Sequence, residues 1–262
     1  MATGTRGTTG GRATARRATT ADTRPADERV RAILAWLERR GTRKNRDGMA
    51  RYAIVAEKVF GVSVADLQRL GKEHGRDHDL ALALWDTGWY EARMLAAFVD
   101  EPERVTAAQM DRWARDFDNW AICDHHCFHL FDRTPHAWRK VEQWSGRREE
   151  FVKRAAFALL ASLALHDKRA PDAPYAKALA LVEREAGDAR NFVKKGVSWA
   201  LRSIGRRGPE LHAASMQLAT RLAESEEPAA RWVGRDAARD LAKAAARVKA
   251  RATAKRPVPA RA

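Results

Sequence analysis

The sequence has 262 residues, 45% of them hydrophobic, and this length suits one large domain or two small ones with a substantial buried core. It has two cysteines, no apolar signal region at its N-terminus and no uninterrupted run of roughly 18 apolar residues. These features argue against secretion and membrane insertion and favour a cytoplasmic protein, while the net charge of +15 suggests a polyanionic partner.

Much of this positive charge lies at the two ends of the chain. Residues 1–26 contain five Arg and one Asp, lack apolar periodicity and are expected to form a disordered basic tail. Residues 243–262 contain seven Lys or Arg and no acidic residue, and are interpreted as a second basic tail. A net charge of only +4 remains for residues 27–242. The tails predict non-specific attraction to nucleic acid, so a specific function must reside in residues 27–242.

Residues 27–242 are a succession of amphipathic segments separated by short Gly, Pro or Asp turns, which predicts an all-α fold. The predicted helices span 28–40, 46–60, 64–74, 77–87, 89–99, 106–117, 119–131, 136–144, 147–166, 174–186, 189–205, 209–224 and 228–250.

Two segments, RAAFALLASLALH at 154–166 and FVKKGVSWALRSIG at 192–205, are strongly apolar and resemble the inner helices of antiparallel pairs. Such pairs, repeated about every 35 to 50 residues, are typical of HEAT-like solenoids, whose inner helices line a concave surface. Basic side chains on that surface could follow the backbone of a DNA duplex. A globular all-α bundle is the alternative.

The segment DFDNWAICDHHCFHLFDRTPHAW at 116–138 is the most unusual part of the chain. Asn119 is predicted to cap a helix that begins at Trp120, and the spacing of four places Trp120 and Asp124 on one helical face. An aromatic ring and a carboxylate would therefore project together. Taken alone, this pattern is more typical of a half-buried Trp beside a solvated Asp.

The pattern N-W-x-x-x-D resembles the AlkD-type DNA alkylation repair family, which comprises HEAT-like DNA glycosylases. Two motifs that precede it in this sequence also resemble the family. MARYAIVAEKVFGVSVADL at 49–67 has Tyr52 at the Tyr position of the family's first motif, and WDTGWYEARMLAA at 85–97 is similar to the helix pair that comes next.

Two further motifs follow in the family's order. KRAAFALL at 153–160 places Arg154 at the family's inward Arg, and FVKKGVSWALRSIG places Trp199 at its second active-site Trp. The resemblance covers roughly residues 28–240 and leaves the two tails outside.

The resemblance implies a monomeric, monofunctional glycosylase that acts on double-stranded DNA in the cytoplasm, at the nucleoid, without a cofactor. Its substrates would be cationic alkylated purines of the 3-methyladenine and 7-methylguanine type, hydrolysed at the N-glycosidic bond without base flipping. Asp124 would stabilise an oxocarbenium-like sugar and orient the attacking water, while the rings of Trp120 and Trp199 would add cation–π attraction.

Arg154 and Tyr52 are predicted to contact DNA, on the strength of the same resemblance. Several basic residues clustered around the two apolar helices are predicted to contact phosphates, and a merely solvated face is the alternative for each. These residues are Arg148, Lys194, Lys195 and Arg202.

The cysteines and histidines at 123–129 invite a metal hypothesis. On a continuous helix, however, Cys123 and Cys127 share one face while His125 and His129 share another, so the four cannot converge on one tetrahedral zinc ion. Core packing and capping are the expected roles, and no metal is predicted. A non-catalytic DNA-binding or scaffolding protein is the alternative function, because helical-repeat arrays often only bind.

Overall fold

The computed structural model describes residues 24–254, and their side chains as far as residue 246. These residues form thirteen α-helices and one 3-10 turn (Phe131–Arg133), with no β-strand among them, which confirms the predicted all-α fold. The helices are α1 (Ala26–Arg40), α2 (Arg43–Arg51), α3 (Val64–His74), α4 (His78–Asp86), α5 (Tyr90–Val99), α6 (Ala107–Arg115), α7 (Trp120–His129), α8 (Ala137–Ser145), α9 (Glu150–His166), α10 (Ala173–Glu185), α11 (Asn191–Ile204), α12 (Pro209–Ala223) and α13 (Pro228–Ala254).

Short polar side chains determine where several of these helices begin. Helices α2, α3, α4 and α6 each follow a Thr, Ser or Asp whose side chain accepts the backbone N–H of the third residue after it. Asn119 caps α7 as predicted, because its Oδ1 accepts the N–H groups of Ala121 and Ile122 at 3.0 and 3.1 Å.

The helices pack in two layers. Helices α3, α5, α7, α9, α11 and α13 contact one another in succession, and we call them the inner layer. Helices α4, α8, α10 and α12 pack against α5, α9, α11 and α13 respectively. Residues 154–164 of α9 are all buried, because α7, α8 and α11 surround this helix. This environment explains why the α9 sequence is apolar on nearly every face, and the arrangement of stacked helix pairs is that of a HEAT-like repeat.

The predicted helix at 46–60 is wrong beyond Arg51. Helix α2 ends there, and residues 52–63 form an irregular segment in which Ala53 has a left-handed backbone (φ 53°). The carboxylate of Glu91, on α5, accepts the backbone N–H groups of Phe60, Gly61 and Val62 at 3.0, 2.6 and 3.1 Å. These tertiary bonds satisfy the backbone at the end of the irregular segment, just before α3.

The two predicted tails lie largely outside the described residues, which leave out 1–23 and 255–262. At the C-terminal end, α13 continues past residue 242 as far as Ala254, so part of the segment interpreted as a tail is helical. Across the described residues, none of the helices combines the length and the apolar character needed to span a membrane.

Candidate active site

The N-terminal turn of α7 is joined to the irregular 52–63 segment. The indole Nε1 of Trp120 donates a hydrogen bond to the backbone carbonyl of Tyr52 at 2.8 Å. Tyr52 as a whole is 69% exposed, and its contact with Trp120 is made by the backbone carbonyl. The structure therefore brings together two predicted site residues that are 68 positions apart in the sequence.

Asp124 lies one turn after Trp120 and forms a two-point ion pair with Arg154 of α9. Arg154 Nε donates to Oδ1 of Asp124 at 2.8 Å, and Nη2 donates to Oδ2 at 2.6 Å. The side chains of Arg154 and Asp124 are only 8% and 18% exposed. Such a pair fixes the orientation of the carboxylate, because both of its oxygen atoms are held.

Arg154 also connects this pair to α11. Its Nη1 donates to the backbone carbonyl of Phe192 at 2.6 Å. The two helices lie close together here, since a Cβ atom built on Gly196 would be 3.6 Å from Cγ of Arg154. Trp199 lies one turn beyond Gly196 and is half-buried against the core. The four residues predicted to carry the chemistry thus lie on three helices that Arg154 links directly.

Burial and charge act in opposite directions on this ion pair. Burial raises the pKa of the Asp124 carboxyl, and the guanidinium of Arg154 opposes that rise. Burial would lower the pKa of Arg154, but the attraction of Asp124 more than offsets it, so the pKa of Arg154 is raised. Each charge therefore depends on the other, and neither side chain has an alternative charged partner within hydrogen-bonding distance among the described residues.

The other residues predicted to contact DNA differ in how far their side chains are exposed to solvent. Arg148 and Lys195 are exposed. Lys194 is half-buried, and its ammonium lies 5.2 Å from the ring centroid of Trp232 on α13. Trp232 itself is 36% exposed. Contact of these cations with DNA stays a prediction.

Arg202 is surrounded by partners from within the chain. Its Nε donates to the Ser198 carbonyl at 3.2 Å and lies 3.7 Å from Asp236, while its Nη1 lies 3.8 Å from Asp240. Both acids belong to α13 and could not be associated with Arg202 from the sequence. A contact between Arg202 and DNA also stays a prediction, and it would have to compete with these carboxylates.

The cysteines of α7 face α9. The thiols of Cys123 and Cys127 lie 3.5 Å from the backbone carbonyls of Phe151 and Ala155, to which they donate. The nearby histidines point elsewhere. Within residues 24–246, no three or more His, Cys, Asp or Glu side chains are grouped so as to hold a metal ion. The cluster therefore packs α7 against its neighbours, and the absence of metal stays a prediction.

His126 is the most deeply placed of these histidines. Its Nδ1 bonds to the Ile122 carbonyl at 2.8 Å, and its ring lies nearly perpendicular to the rings of Trp85 and Trp113 at centroid distances of 5.0 and 5.5 Å. Burial lowers the pKa of His126 to about 3, so the ring is neutral at physiological pH.

Glu91 is a residue that sequence reasoning missed. It is fully buried, and its three bonds to the backbone of Phe60, Gly61 and Val62 shape the segment that Trp120 contacts. The sequence shows it only as a Glu in the first turn of an apolar helix, which is an ordinary position for an acidic residue.

The stacked helix pairs define an all-α HEAT-like repeat protein, and its inner layer carries the Asp124–Arg154 ion pair. A sequence model of the family described as DNA alkylation repair enzyme matches residues 33–241. The chain belongs to this family, which confirms the resemblance seen in its motifs.

One solved structure is similar, with a TM-score of 0.65 and 18% sequence identity over 73% of this chain and 82% of that chain. It is described as a new family of proteins related to the HEAT-like repeat DNA glycosylases, with affinity for branched DNA structures. At this identity the likeness shows the fold alone. A comparison with curated proteins finds no match.

Proposed function

We propose that the protein is a monofunctional DNA glycosylase that hydrolyses the N-glycosidic bond of cationic alkylated purines, such as 3-methyladenine and 7-methylguanine, in double-stranded DNA. The observation that carries this proposal is the carboxylate of Asp124, which Arg154 holds at two points one turn from Trp120. Membership of the DNA alkylation repair enzyme family makes alkylated DNA the substrate to test.

The chemistry required is modest because the leaving base already carries a positive charge. It departs without protonation, and the sugar then develops oxocarbenium character. A fixed carboxylate stabilises that positive charge and orients the attacking water. Each oxygen of Asp124 accepts one bond from Arg154 and keeps a further lone pair for these roles. Arg154 keeps the buried carboxylate charged and correctly oriented.

The aromatic residues would act on the lesion through its charge. The rings of Trp120 and Trp199 attract a cationic base and the developing sugar cation. In this proposal the base stays in the duplex, and selectivity follows from lesion charge and bond lability, so neutral lesions are poor substrates. The mechanism uses side chains alone, without a cofactor. The remaining DNA contacts are assigned to Tyr52, Arg148, Lys194, Lys195 and Arg202.

Incubation of the full-length protein with methylated duplex DNA, followed by mass spectrometry of the released bases, tests the proposal. We expect release of methylated purines, with abasic sites left in uncut strands. Asp124→Asn should lower the rate by about two to three orders of magnitude. Asp86→Asn, at an exposed position on α4, is the matched control and should retain full activity. Equal activity of the Asp124→Asn variant would contradict the assignment.

A non-catalytic DNA-binding function is the second candidate, and the description of the similar solved structure favours testing it. Gel-shift titrations should compare an intact duplex with a four-way junction of the same length. Tight binding of either DNA by a wild-type protein that releases no methylated base would support this alternative over the glycosylase.

A further inference from the structure

A second group of cations surrounds a cavity at the C-terminal ends of α3, α5 and α7. The cavity has a volume of about 300 Å³, and its polar lining includes Lys72, Arg76, His129 and Arg133. Phe98 contributes an apolar wall. No carboxylate is among the described residues that line it. We call this site the cation cavity.

Lys72, Arg76 and Arg133 are solvent-exposed and form no ion pair with carboxylates of the described residues. Arg76 donates to the backbone carbonyl of Asp100. By contrast, arginines such as Arg190 elsewhere in the chain pair with carboxylates. Burial, and then the like charge of Arg133, lowers the pKa of Arg76. The acidic groups that attract Arg76 are Glu103, Asp100 and Glu101, none of which lines the cavity.

The ends of the three helices explain only part of this cluster. The C-terminus of a helix carries a partial negative charge of roughly one half and therefore favours nearby cations. Three such ends do not balance the full charges of Lys72, Arg76 and Arg133. Burial, Arg133 and His166 also lower the pKa of His129 to about 4, so this imidazole is neutral at physiological pH and offers a hydrogen bond without a charge.

We propose that the cation cavity binds a phosphate group, and that this phosphate belongs to the backbone of bound DNA. Guanidinium groups donate in pairs to phosphate oxygens, and a Lys ammonium adds a compact charge, so the lining matches a tetrahedral oxyanion. A bound phosphate would also relieve the repulsion between Arg76 and Arg133.

The position of the cavity favours DNA as the source of the phosphate. The helices α3, α5 and α7 belong to the inner layer, and α7 also carries Asp124. His129 follows Asp124 by five residues, which is about 7.5 Å along the axis of an α-helix and about 140° around it. The ring of His129 therefore contacts Phe98 of α5, whereas Asp124 bonds to Arg154 of α9. Packed helices lie about 8–10 Å apart, and successive phosphates of one strand are spaced by about 3.4 Å along a duplex. DNA that contacts Asp124 and continues across α7 towards α5 would therefore bring a phosphate to the cavity. This choice of source rests on the proposed function, whereas the phosphate site does not.

The test uses two double variants of the full-length protein that lose the same charge. Lys72→Met with Arg133→Gln removes two cations from the cavity. Lys177→Met with Arg139→Gln removes two exposed cations from α10 and α8 and serves as the control. Circular dichroism should show that both variants are folded.

The first measurement is an NMR titration of the His129 ring with inorganic phosphate, with sodium chloride at equal ionic strength as the reference. We expect phosphate to shift the His129 resonance and to raise its titration midpoint above about 4 in the wild type and the control. The cavity variant should show no such response. Absence of a phosphate-specific response in the wild type overturns the proposal.

The second measurement is the salt dependence of binding to an undamaged duplex. Loss of one phosphate contact should reduce the slope of log K against log salt by about 0.9 in the cavity variant and leave the control unchanged. A His129 response without this change in slope would refute DNA as the source and identify a free phosphate compound as the ligand. Release of bases by the wild type is assayed separately. A wild type that gives both responses but releases no base refutes the glycosylase while supporting the phosphate site.

Discussion

Replacing one member of the Asp124–Arg154 pair should destabilise the protein more than replacing both. The two side chains are largely buried and share bonds of 2.8 and 2.6 Å. Removing one partner of such a pair costs about 3–5 kcal/mol, because the other charge is left buried and unpaired. We expect about 3 kcal/mol for Asp124→Asn or Arg154→Met, since Asp124 keeps some contact with water. The double variant removes both charges and should recover about 2 kcal/mol of this loss.

The cost of Arg154→Met should depend on pH in a defined direction. Without the guanidinium, nothing opposes the effect of burial, so the pKa of Asp124 rises further in the folded state. The folded variant then binds this proton more tightly than the unfolded chain, whose Asp has a pKa of about 3.9. Its stability deficit is therefore smallest below about pH 4 and grows as the pH rises through the raised folded pKa.

The coupling free energy is measured by urea unfolding of the wild type, both single variants and the double variant. Repeating the unfolding at acidic and neutral pH shows whether the stability deficit of Arg154→Met grows with pH. Single-turnover release of methylated bases at saturating protein, measured below the unfolding transition, separates chemistry from stability. The double variant should be more stable than either single variant and still inactive. Strictly additive stabilities would refute the buried-pair reasoning, and an active double variant would refute the role of the carboxylate.

Four other outcomes are expected. Glu91→Gln should lower the free energy of unfolding, measured by urea denaturation, by about 2 kcal/mol, because fewer of the three backbone N–H groups would keep an acceptor. Wild-type stability should fall as the pH drops from about 6.5 towards 3, because His126 binds a proton in the unfolded chain at a higher pH than in the folded protein. The stability of the His126→Phe variant should fall less steeply in the same pH series. Elemental analysis should find no stoichiometric zinc, and a chelator should leave helicity and base release unchanged; one tightly held ion per chain would reverse that expectation. Deletion of residues 1–23 and 255–262, which spares α13, should flatten the salt dependence of DNA binding. It should not change the single-turnover rate of base release at saturating protein.

The helices could be predicted because their signals are local. Apolar periodicity and a capping residue lie within the segment itself, and α7 shows this well, since Asn119 marks its start and the predicted span 119–131 encloses Trp120–His129. The strongly apolar sequence of α9 likewise identified it as an inner helix.

The remaining features depend on contacts between distant residues. Residues 52–60 are predicted to continue a helix but are irregular, and the carboxylate of Glu91 binds the backbone where this segment ends, at Phe60, Gly61 and Val62. The carboxylates near Arg202 come from α13, and no local pattern reveals them. For the candidate site, the motifs selected Asp124 and Arg154 by resemblance, whereas the two-point bond between them is visible only once α7 and α9 are packed.

The candidate site is distributed over the inner layer, because Asp124, Arg154 and the Phe192 carbonyl come from α7, α9 and α11. Units of a helical-repeat array contact only their neighbours, so the curvature of the array follows from the small rotation at each interface. The α7–α9 and α9–α11 interfaces lie between Asp124 and Trp199, so the rotations at these two interfaces set the distance between the two residues. The spacing between the carboxylate and the second tryptophan is therefore set by the curvature of the array, and under the proposed function a change in that curvature would alter how the two side chains meet a damaged duplex.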